Sequence, residues 1–471
     1  MNTLPNIHTQ FSEWYLEVIS KAELSDNAPV KGCIVIRPYG YALWENIQKV
    51  LDKKIKDTGH SNAAFPLLIP QSFLQKEAQH VAGFSPELAV VTHAGGKELE
   101  EPLVVRPTSE TIIHYMFAKW LRSWRDLPIK INQWCSVVRW EMRTRPFLRT
   151  TEFWWQEGHT AHETAEEARE EVATMLNAYV DLVENYLAIP VVAGTKSDTE
   201  RFAGADLTCT IEGLMQDGKA LQMGTSHMIS QSFAKAFDMK FQDRQGNQAY
   251  PYLTSWGVTT RLIGAIIMVH GDQKGLVLPP AIAPLQIVII PIIKAATKEL
   301  VLQKVQQLYQ ELSQEFRVII DADESETPGA KFYRWELKGV PLRIEIGARD
   351  IEQQQVVISS RVHGTKSMCK NNVLQEFIRE QLSTIQKDML EKARERRASM
   401  WHIREKLEDF KDLLEQHGGF YQTGWCRSIE CEDAIKSHKA TIRCVLTVHT
   451  QKHCCNCNQE SPGDILIAKA Y

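Results

Sequence analysis

The sequence has no long apolar run and no strong excess of charge of one sign. The main apolar runs, Leu262 to Val269 and Ile287 to Ile293, are both too short to cross a bilayer. The first residues lack the basic start and apolar core of a signal peptide, so we expect a cytoplasmic protein. The formal net charge of −4 gives no general attraction to nucleic acid, so a polyanion would need a local basic patch.

The sequence also lacks internal repeats and low-complexity segments, and its 471 residues suffice for two to four domains. A proline cluster at 278–284 marks the first boundary. Strands and helices then alternate from 286 to 359, which is typical of a small α/β domain. A charged stretch at 371–417 predicts a long helix, broken or continuous. We predict domains at 1–280, 281–385 and 386–471.

Most of the ten cysteines lie close together near one end of the sequence. In a cytoplasmic protein such crowding favours a metal site over disulfides. The alternative is a set of unligated cysteines, and Cys454 beside Cys455 makes the ligand set ambiguous. The crowded residues are Cys426, Cys431, Cys444, Cys454, Cys455 and Cys457.

An arginine-rich hairpin is predicted between 137 and 159. The β-branched pair Val137 and Val138 predicts a strand, which opens into a turn with several arginines around Pro146 and returns through aromatic residues. Arginine grips two oxygens at once and stays charged. The hairpin therefore suits a polyphosphate nucleotide, and the alternative is a solvated basic loop.

Three further motifs surround this hairpin in the sequence. Arg106-Pro-Thr108-Ser109-Glu110 follows a predicted strand, and its Thr-Ser-Glu could simply cap the next helix. Gly224-Thr225-Ser226-His227 holds a histidine that, taken alone, is more often structural. Thr259-Thr260-Arg261 leads into the apolar helix that begins at Leu262.

Together these motifs resemble the class II aminoacyl-tRNA synthetases. Arg139-Trp-Glu141 resembles motif 2, Thr259-Thr260-Arg261 resembles motif 3, and the predicted helix 40–58 followed by Pro66 resembles motif 1, which builds the dimer interface in this class. The motifs at 106–110 and 224–227 are similar to signatures of the prolyl-tRNA synthetases.

The resemblance implies an α+β fold of the archaeal and eukaryotic type. It has an antiparallel-sheet catalytic domain, an α/β anticodon-binding domain and a small zinc-binding α+β C-terminal domain. The implied activity is that of a homodimeric proline–tRNA ligase, which forms prolyl-adenylate from proline and ATP with magnesium and then charges tRNA(Pro).

The resemblance also implies roles for single residues. Arg139 would bridge the proline carboxylate and the α-phosphate, and it carries catalysis together with Arg261. The implied ATP-binding residues are Arg139, Glu141, Arg149, Phe153, Gln222, Thr225 and Arg261. The implied proline-binding residues are Thr108, Ser109, Glu110, Arg139, His159, Thr225, His227 and Thr259, with Trp155 as a wall.

For the structural zinc the resemblance selects Cys426, Cys431, Cys455 and Cys457. For tRNA it implies that Glu336 reads an anticodon guanine. A basic run in the α/β domain is the expected footprint of tRNA, and the alternative is a solvated charged face. The run comprises Lys331, Arg334, Lys338, Arg343, Arg349, Arg361 and Lys366.

Two departures from the family pattern lie near the expected site. Ser230 replaces a glycine, and Thr151 stands where a second basic residue is common. Two other functions were weighed. A sister enzyme for threonine or serine conflicts with the motifs at 106–110 and 224–227, and a catalytically silent paralogue conflicts with the presence of all the implied ATP arginines.

Overall fold

The computed structural model describes residues 4–74 and 88–471. Its first elements are helix α1 (Phe11–Lys21), the hairpin β1 (Ser25–Asn27) and β2 (Ile34–Ile36), and helix α2 (Pro38–Asp57). The predicted helix 40–58 is thus confirmed. Helix α2 begins at a proline, which suits a first turn. Gly40 is required there, because an added Cβ would lie 2.2 Å from the Leu24 carbonyl oxygen.

The rest of the catalytic region alternates strands with a few helices. The helices are α3 (Glu110–Trp120), α4 (Ala165–Asp181), α5 (Ser232–Ala236) and α6 (Arg261–His270). The strands are β3 (Ser61–Asn62), β4 (Leu68–Pro70), β5 (Ala89–Ala94), β6 (Lys97–Val105), β7 (Ile129–Val138), β8 (Glu152–His162), β9 (Val191–Thr195), β10 (Leu207–Leu214), β11 (Ala220–Ser230), β12 (Phe241–Gln242), β13 (Gln248–Ala249) and β14 (Tyr252–Thr259).

The α/β region alternates strands and helices, which confirms the predicted α/β domain. The strands are β15 (Ile287–Ile292), β16 (Val318–Ile320), β17 (Leu342–Gly347), β18 (Gln355–Ser360) and β19 (Lys366–Lys370). The helices are α7 (Lys298–Leu312), α8 (Pro328–Leu337), α9 (Ala348–Glu352) and α10 (Leu374–Ser399). The strands form one sheet in the order β16-β15-β17-β18-β19. Strand β15 is parallel to its neighbours β16 and β17, β18 is antiparallel to β17, and β19 is antiparallel to β18.

The predicted helix over 371–417 is only partly correct. After α10 the chain forms β20 (Trp401–Ile403) before α11 (Lys411–His417). Trp401 pairs with Phe420 on the parallel strand β21 (Phe420–Gly424), and this distant pairing overrides the local helical preference. The remaining elements are α12 (Ile429–Ser437), β22 (Thr441–Val445) and β23 (Asp464–Ala468).

One sheet of eleven strands joins the catalytic and cysteine-rich regions, in the order β20-β21-β23-β22-β9-β10-β11-β14-β8-β7-β3. The junction is the pairing of Val445 on β22 with Thr195 on β9. A buried ion cluster supports it: the Lys196 ammonium is 2.9 Å and the Arg443 guanidinium 2.8 Å from the Glu212 carboxylate. The domain limits 1–280, 281–385 and 386–471 stay a prediction, and the last boundary falls inside α10.

The antiparallel-rich sheet with a separate α/β domain confirms the predicted α+β class. Helix α6 packs against this sheet with Leu262 to Val269 all buried, so its first residue, Arg261, is held in a fixed position beside β14. In residues 4–74 and 88–471, every helix is too short or too polar to cross a membrane.

Candidate active site

A cavity of about 420 Å³ opens on the catalytic sheet. Strands β8, β11 and β14 supply most of its floor. Nearly all residues predicted to bind proline or ATP line it, although they come from five separate segments. They are Thr108, Glu110, Arg139, Glu141, Arg149, Phe153, His159, Gln222, Thr225, His227, Thr259 and Arg261.

Three arginines dominate one end of the cavity. The Nε atom of Arg139 donates to the Pro107 carbonyl at 3.0 Å, and its guanidinium lies 5.6 Å from the centre of the Phe153 ring. Arg149 donates to the Glu141 carboxylate at 3.4 Å. Arg261 donates to the carbonyls of Leu148 and Gln222 at 3.1 and 3.3 Å.

These guanidinium groups repel one another. Burial, with the nearby charges of Arg149 and Arg139, lowers the pKa of Arg261 to about 10. The group remains charged at neutral pH, but part of its charge is uncompensated in the protein itself. A bound polyanion would relieve this repulsion, and phosphate oxygens match the guanidinium fork.

A tight turn between β7 and β8 positions Arg149. Arg145 and Arg149 exchange two backbone hydrogen bonds of 2.6 and 2.9 Å. Phe147, inside the turn, is buried and has a φ of 62°, which is costly for a bulky residue and typical of functional sites. The Tyr15 hydroxyl donates to the Pro146 carbonyl at 2.7 Å. The arginine-rich segment is thus an ordered turn rather than a solvated loop.

Carboxylates and histidines occupy the opposite end of the cavity. The Thr108 hydroxyl donates to the Glu110 carboxylate, which orients the hydroxyl lone pairs to accept another hydrogen bond. Ser109 is the N-cap residue of α3, but its side chain makes no capping hydrogen bond. The interpretation of this motif as a simple helix cap is therefore wrong.

Ser109 differs from the other predicted residues because it does not line the cavity. It is fully buried, and its hydroxyl donates to Glu157 Oε1 at 2.5 Å. The Glu157 carboxylate thus lies between Ser109 and the cavity, and the sequence analysis gave Glu157 no role.

Glu157 lines the cavity and accepts hydrogen bonds on both oxygens. Gln133 donates to Oε1 at 2.9 Å, and Nε2 of His159 lies 3.0 Å from Oε2. Burial would raise the pKa of Glu157, but the bonds from His159, Ser109 and Gln133 outweigh it and lower that pKa. Burial would lower the pKa of His159, but Glu157 raises it. The Glu157 carboxylate and the protonated form of His159 therefore stabilise each other.

His227 forms another wall of the cavity. Its Nδ1 lies 3.0 Å from the Thr208 hydroxyl, and its ring packs 4.7 Å from that of Phe202. Burial lowers its pKa to about 3, with a smaller contribution from His159, so it is neutral at physiological pH. Thr208 and Phe202 also line the cavity, and the sequence analysis missed both because no local motif contains them.

The remaining predicted positions have clear placements. The Thr259 hydroxyl accepts a hydrogen bond of 3.0 Å from the Arg261 amide, which fixes the start of α6. Ser230 has a φ of 55° in a bulge of β11 but lies outside the cavity lining. Thr151 is buried, and its amide donates to the Gly32 carbonyl at 2.9 Å. Neither departure from the family pattern alters the cavity wall directly.

The cysteine-rich region gathers four thiols whose sulfur atoms lie within 4.8 Å of one another. They belong to Cys426, Cys431, Cys454 and Cys457. This group contains Cys454, whereas the predicted set contains Cys455 in its place, and the identity of the metal ligands stays a prediction. The Cys455 amide donates to the Gly424 carbonyl at 3.0 Å, and its carbonyl accepts from the Leu407 amide at 3.0 Å, so its backbone is fixed between the end of β21 and a short 3-10 turn at Leu407.

A second cavity, of about 210 Å³, lies at the edge of the α/β domain. Only some residues of the predicted basic run line this cavity. They are Arg343, Arg361 and Lys366, and Glu336 lies beside them in the lining. By contrast, Lys331 and Arg334 contact Asp321, and the Lys338 ammonium contacts Glu23.

Comparison with known proteins agrees with this architecture. A model described as tRNA synthetase class II core domain (G, H, P, S and T) matches residues 91–270. An anticodon binding domain matches residues 286–381, and the model described as prolyl-tRNA synthetase, C-terminal, matches residues 407–471.

Curated relatives match over nearly the whole chain. Proline–tRNA ligase 2 of Clostridioides difficile is 53% identical over 99% of this chain and 98% of its own length. Proline–tRNA ligase of Alkaliphilus oremlandii is 52% identical over 99% and 97% of the two chains. The chain belongs to the prolyl-tRNA synthetase family.

The solved structures agree with this membership. Prolyl-tRNA synthetase from Cryptosporidium parvum, crystallised with halofuginone and AMPPNP, superposes with a TM-score of 0.94 at 42% identity, covering 99% of each chain. The resemblance inferred from the motifs is therefore confirmed. As a member of the prolyl-tRNA synthetases, the protein is an aminoacyl-tRNA ligase.

Proposed function

We propose that the large cavity binds ATP and proline side by side and joins them as prolyl-adenylate. The enzyme then transfers the prolyl group to the 3′ end of tRNA(Pro) and releases AMP, pyrophosphate having left in the first step. One observation carries the assignment of ends: the cavity has three mutually repelling guanidinium groups at one end and the carboxylates of Glu110 and Glu157 at the other.

Three arginines would neutralise the charge on the two reacting anions. The proline carboxylate attacks the α-phosphorus, so negative charge accumulates where both groups meet. Arg139 is the arginine on which the charges of Glu110 and Glu157 act, so its outer nitrogens can bridge the carboxylate and the α-phosphate. Arg149 and Arg261 would hold the β- and γ-phosphates. Phe153 would stack on adenine and Glu141 would accept from its amino group.

The carboxylate end would hold the prolinium nitrogen. Its two N–H groups find an acceptor hydroxyl in Thr108 and a carboxylate in Glu110, already joined by their own hydrogen bond. The neutral ring of His227 and the face of Trp155 provide apolar walls for the pyrrolidine ring. Thr225 lies nearby, whereas Thr259 would act by holding the Arg261 backbone. We assign Ser109 a positioning role through Glu157 instead of direct contact.

Magnesium would accompany the nucleotide. The ATP end offers the Gln222 carboxamide but, among the described residues, no cluster of carboxylates that could cage a cation. This donor set fits Mg²⁺, which commonly keeps water and phosphate ligands in nucleotide sites. Its contribution would be to neutralise phosphate charge.

The four thiols fit a structural Zn²⁺. Sulfur ligands at about 2.3 Å around a tetrahedral ion stand about 3.8 Å apart. The Cys426 sulfur lies 3.6 Å from each of the Cys431 and Cys457 sulfurs. Zinc bound there would stabilise the turns of the third domain.

The cavity of the α/β domain would receive the anticodon. Proline codons begin with two cytidines, so every proline anticodon carries two guanines. Guanine presents two N–H donors on its Watson–Crick edge, and a single-stranded base exposes that edge to side chains. Glu336 provides a carboxylate acceptor, while Arg343 and Lys366 provide positive charge for the backbone.

We further propose a cytoplasmic homodimer. Apolar side chains are exposed on and near the β1–β2 hairpin, including Val30, Val35 and Trp154. Exposed apolar patches of this kind mark interfaces. Light scattering coupled to gel filtration would test the dimer.

The activity is tested by ATP–pyrophosphate exchange measured with each amino acid, with and without tRNA. We expect exchange with proline in the absence of tRNA and far weaker exchange with threonine or serine. Exchange with no amino acid would contradict the proposed activity. Exchange led by threonine or serine would instead support the sister-enzyme alternative.

A further inference from the structure

The second cavity has a wall that does not belong to the α/β domain. The segment Asp272–Leu276, which follows helix α6, lies along the cavity, and Lys274 lines it. Arg361 fastens this segment through two hydrogen bonds to Asp272, of 2.8 and 2.6 Å. The Arg361 side chain is only 4% exposed, and its Nε also donates to the Glu336 carbonyl at 2.8 Å.

The backbones on the two sides of this junction are locked together. The Leu276 amide donates to the Leu337 carbonyl at 2.9 Å. Gly339 has a φ of 72°, and an added Cβ there would lie 2.7 Å from the Leu276 Cβ. Neither segment can shift without breaking these contacts, so ligand-dependent movement at this wall is confined to exposed side chains.

Lys274 is such a side chain. It is 62% exposed, and its ammonium lies 2.8 Å from Glu336 Oε1. Glu336 is the carboxylate to which we assign an anticodon guanine, and the next step rests on that proposed function. A guanine that donates N1–H and N2–H engages both carboxylate oxygens, so it must either share Oε1 with Lys274 or displace it. A base with a single donor can use the second oxygen and leave the ion pair intact.

We propose that Lys274 is a specificity-determining residue of the anticodon site. It competes with guanine for Glu336 and so reduces the enzyme's preference for guanine over bases with a single donor. The pair is partly exposed, and exposed ion pairs are worth only about 0.2–1 kcal/mol, which corresponds to a factor of about 1.4 to 5. The competition is therefore weak enough for cognate tRNA to overcome.

The test compares tRNA(Pro) transcripts that carry guanosine or inosine at each anticodon guanine position. Inosine lacks the 2-amino donor but is otherwise the same base. The measured quantity is the ratio of kcat/KM for aminoacylation of the two transcripts. In K274M we expect this ratio to rise by a factor of about 1.4 to 5 at the position that Glu336 reads, and K274A provides a second neutral variant.

K366M is the matched control. Lys366 lines the same cavity but pairs with Glu345 at 3.1 Å, so its loss removes one positive charge without freeing Glu336. We expect it to lower kcat/KM for both transcripts by a similar factor, with the ratio unchanged. The midpoints of thermal unfolding would show that each variant is folded.

E336Q tests the assignment of Glu336 to guanine separately from the role of Lys274. If E336Q leaves the ratio at its wild-type value, the assignment of Glu336 to guanine fails and the competition fails with it. If E336Q lowers the ratio but both Lys274 variants leave it unchanged or reduce it, the assignment stands and the role of Lys274 is overturned.

Discussion

Arg145 and Tyr471 are far apart in the chain but lie face to face in the structure. The Arg145 guanidinium is 5.3 Å from the centre of the Tyr471 ring and 4.9 Å from that of Tyr15. Its Nη2 atom is buried and makes no hydrogen bond within the described residues. The two aromatic rings are therefore the main partners of this end of the guanidinium, and they hold the turn that carries Arg149.

We expect Y471A to weaken ATP binding. Cation–π contacts contribute about 0.5–2 kcal/mol, so the KM for ATP should rise about two- to thirtyfold, because the Arg145–Arg149 turn loosens. The check is ATP–pyrophosphate exchange over a range of ATP concentrations. Y471F is the control: it keeps the ring and loses only the hydroxyl's 2.5 Å contact with Asp217. Equal effects of Y471A and Y471F would exclude the ring contact as the cause.

Replacement of Arg139 should abolish adenylate formation and leave the fold intact. Among the described residues the guanidinium makes one hydrogen bond, of 3.0 Å to the Pro107 carbonyl, so little stability depends on it. Loss of one charge-stabilising donor in an active site costs about 10²–10³ in rate. R139A should lose at least this much in pyrophosphate exchange. R139K keeps the charge but not the fork, and wild-type activity in R139K would contradict the bridging role.

The cysteine variants distinguish two possible ligand sets. C454S should lose bound zinc and lower the midpoint of thermal unfolding, because the third domain would lose a ligand of its tetrahedral ion. C455S should retain one zinc per chain. Metal content measured by inductively coupled plasma mass spectrometry checks both. The reverse pattern would restore Cys455 to the ligand set.

The stability of the protein should decrease towards acidic pH partly because of His270. Its Nε2 lies 2.8 Å from the Leu187 carbonyl, and burial lowers its pKa from 6.5 to about 3. Between these values the unfolded chain binds one more proton than the folded protein. The free energy of unfolding therefore falls by about 1.4 kcal/mol for each pH unit below 6.5 from this group alone.

H270Q should remove that contribution and keep a donor for the Leu187 carbonyl. Urea unfolding at pH 7.5, 6.0 and 5.0, compared between wild type and H270Q, measures the difference. Parallel pH dependences in the two proteins would show that His270 does not retain its low pKa.

Residues inside short motifs were predictable because each motif lies on one element or turn. Arg139 and Arg149 suggest a nucleotide site through residue type and local order, whereas the role of Arg261 was implied by the family resemblance. Glu157 could not be identified in this way. Its partner Gln133 faces it across the β7–β8 pair, and Ser109 arrives from the start of α3, so only the register of the sheet reveals the buried network.

The points at which the sequence-based prediction and the structure differ have similar physical causes. The strand β20 is too short to show a periodic pattern and forms by pairing with β21, so the sequence predicted helix there. The choice of Cys455 over Cys454 followed the family pattern. Two residues separate Cys454 from Cys457, a spacing that is common in zinc sites. This spacing could have pointed to Cys454, which the structure places with the other three thiols.

The sheet shared by the catalytic and third domains has a consequence for biosynthesis. During translation the edge of β9 becomes available long before β22 has been made, because the whole α/β domain lies between them in the chain. Unpaired strand edges promote aggregation. Chains that stop within or shortly after the α/β domain should therefore be preferred targets of chaperones and proteases, although their catalytic residues are already complete.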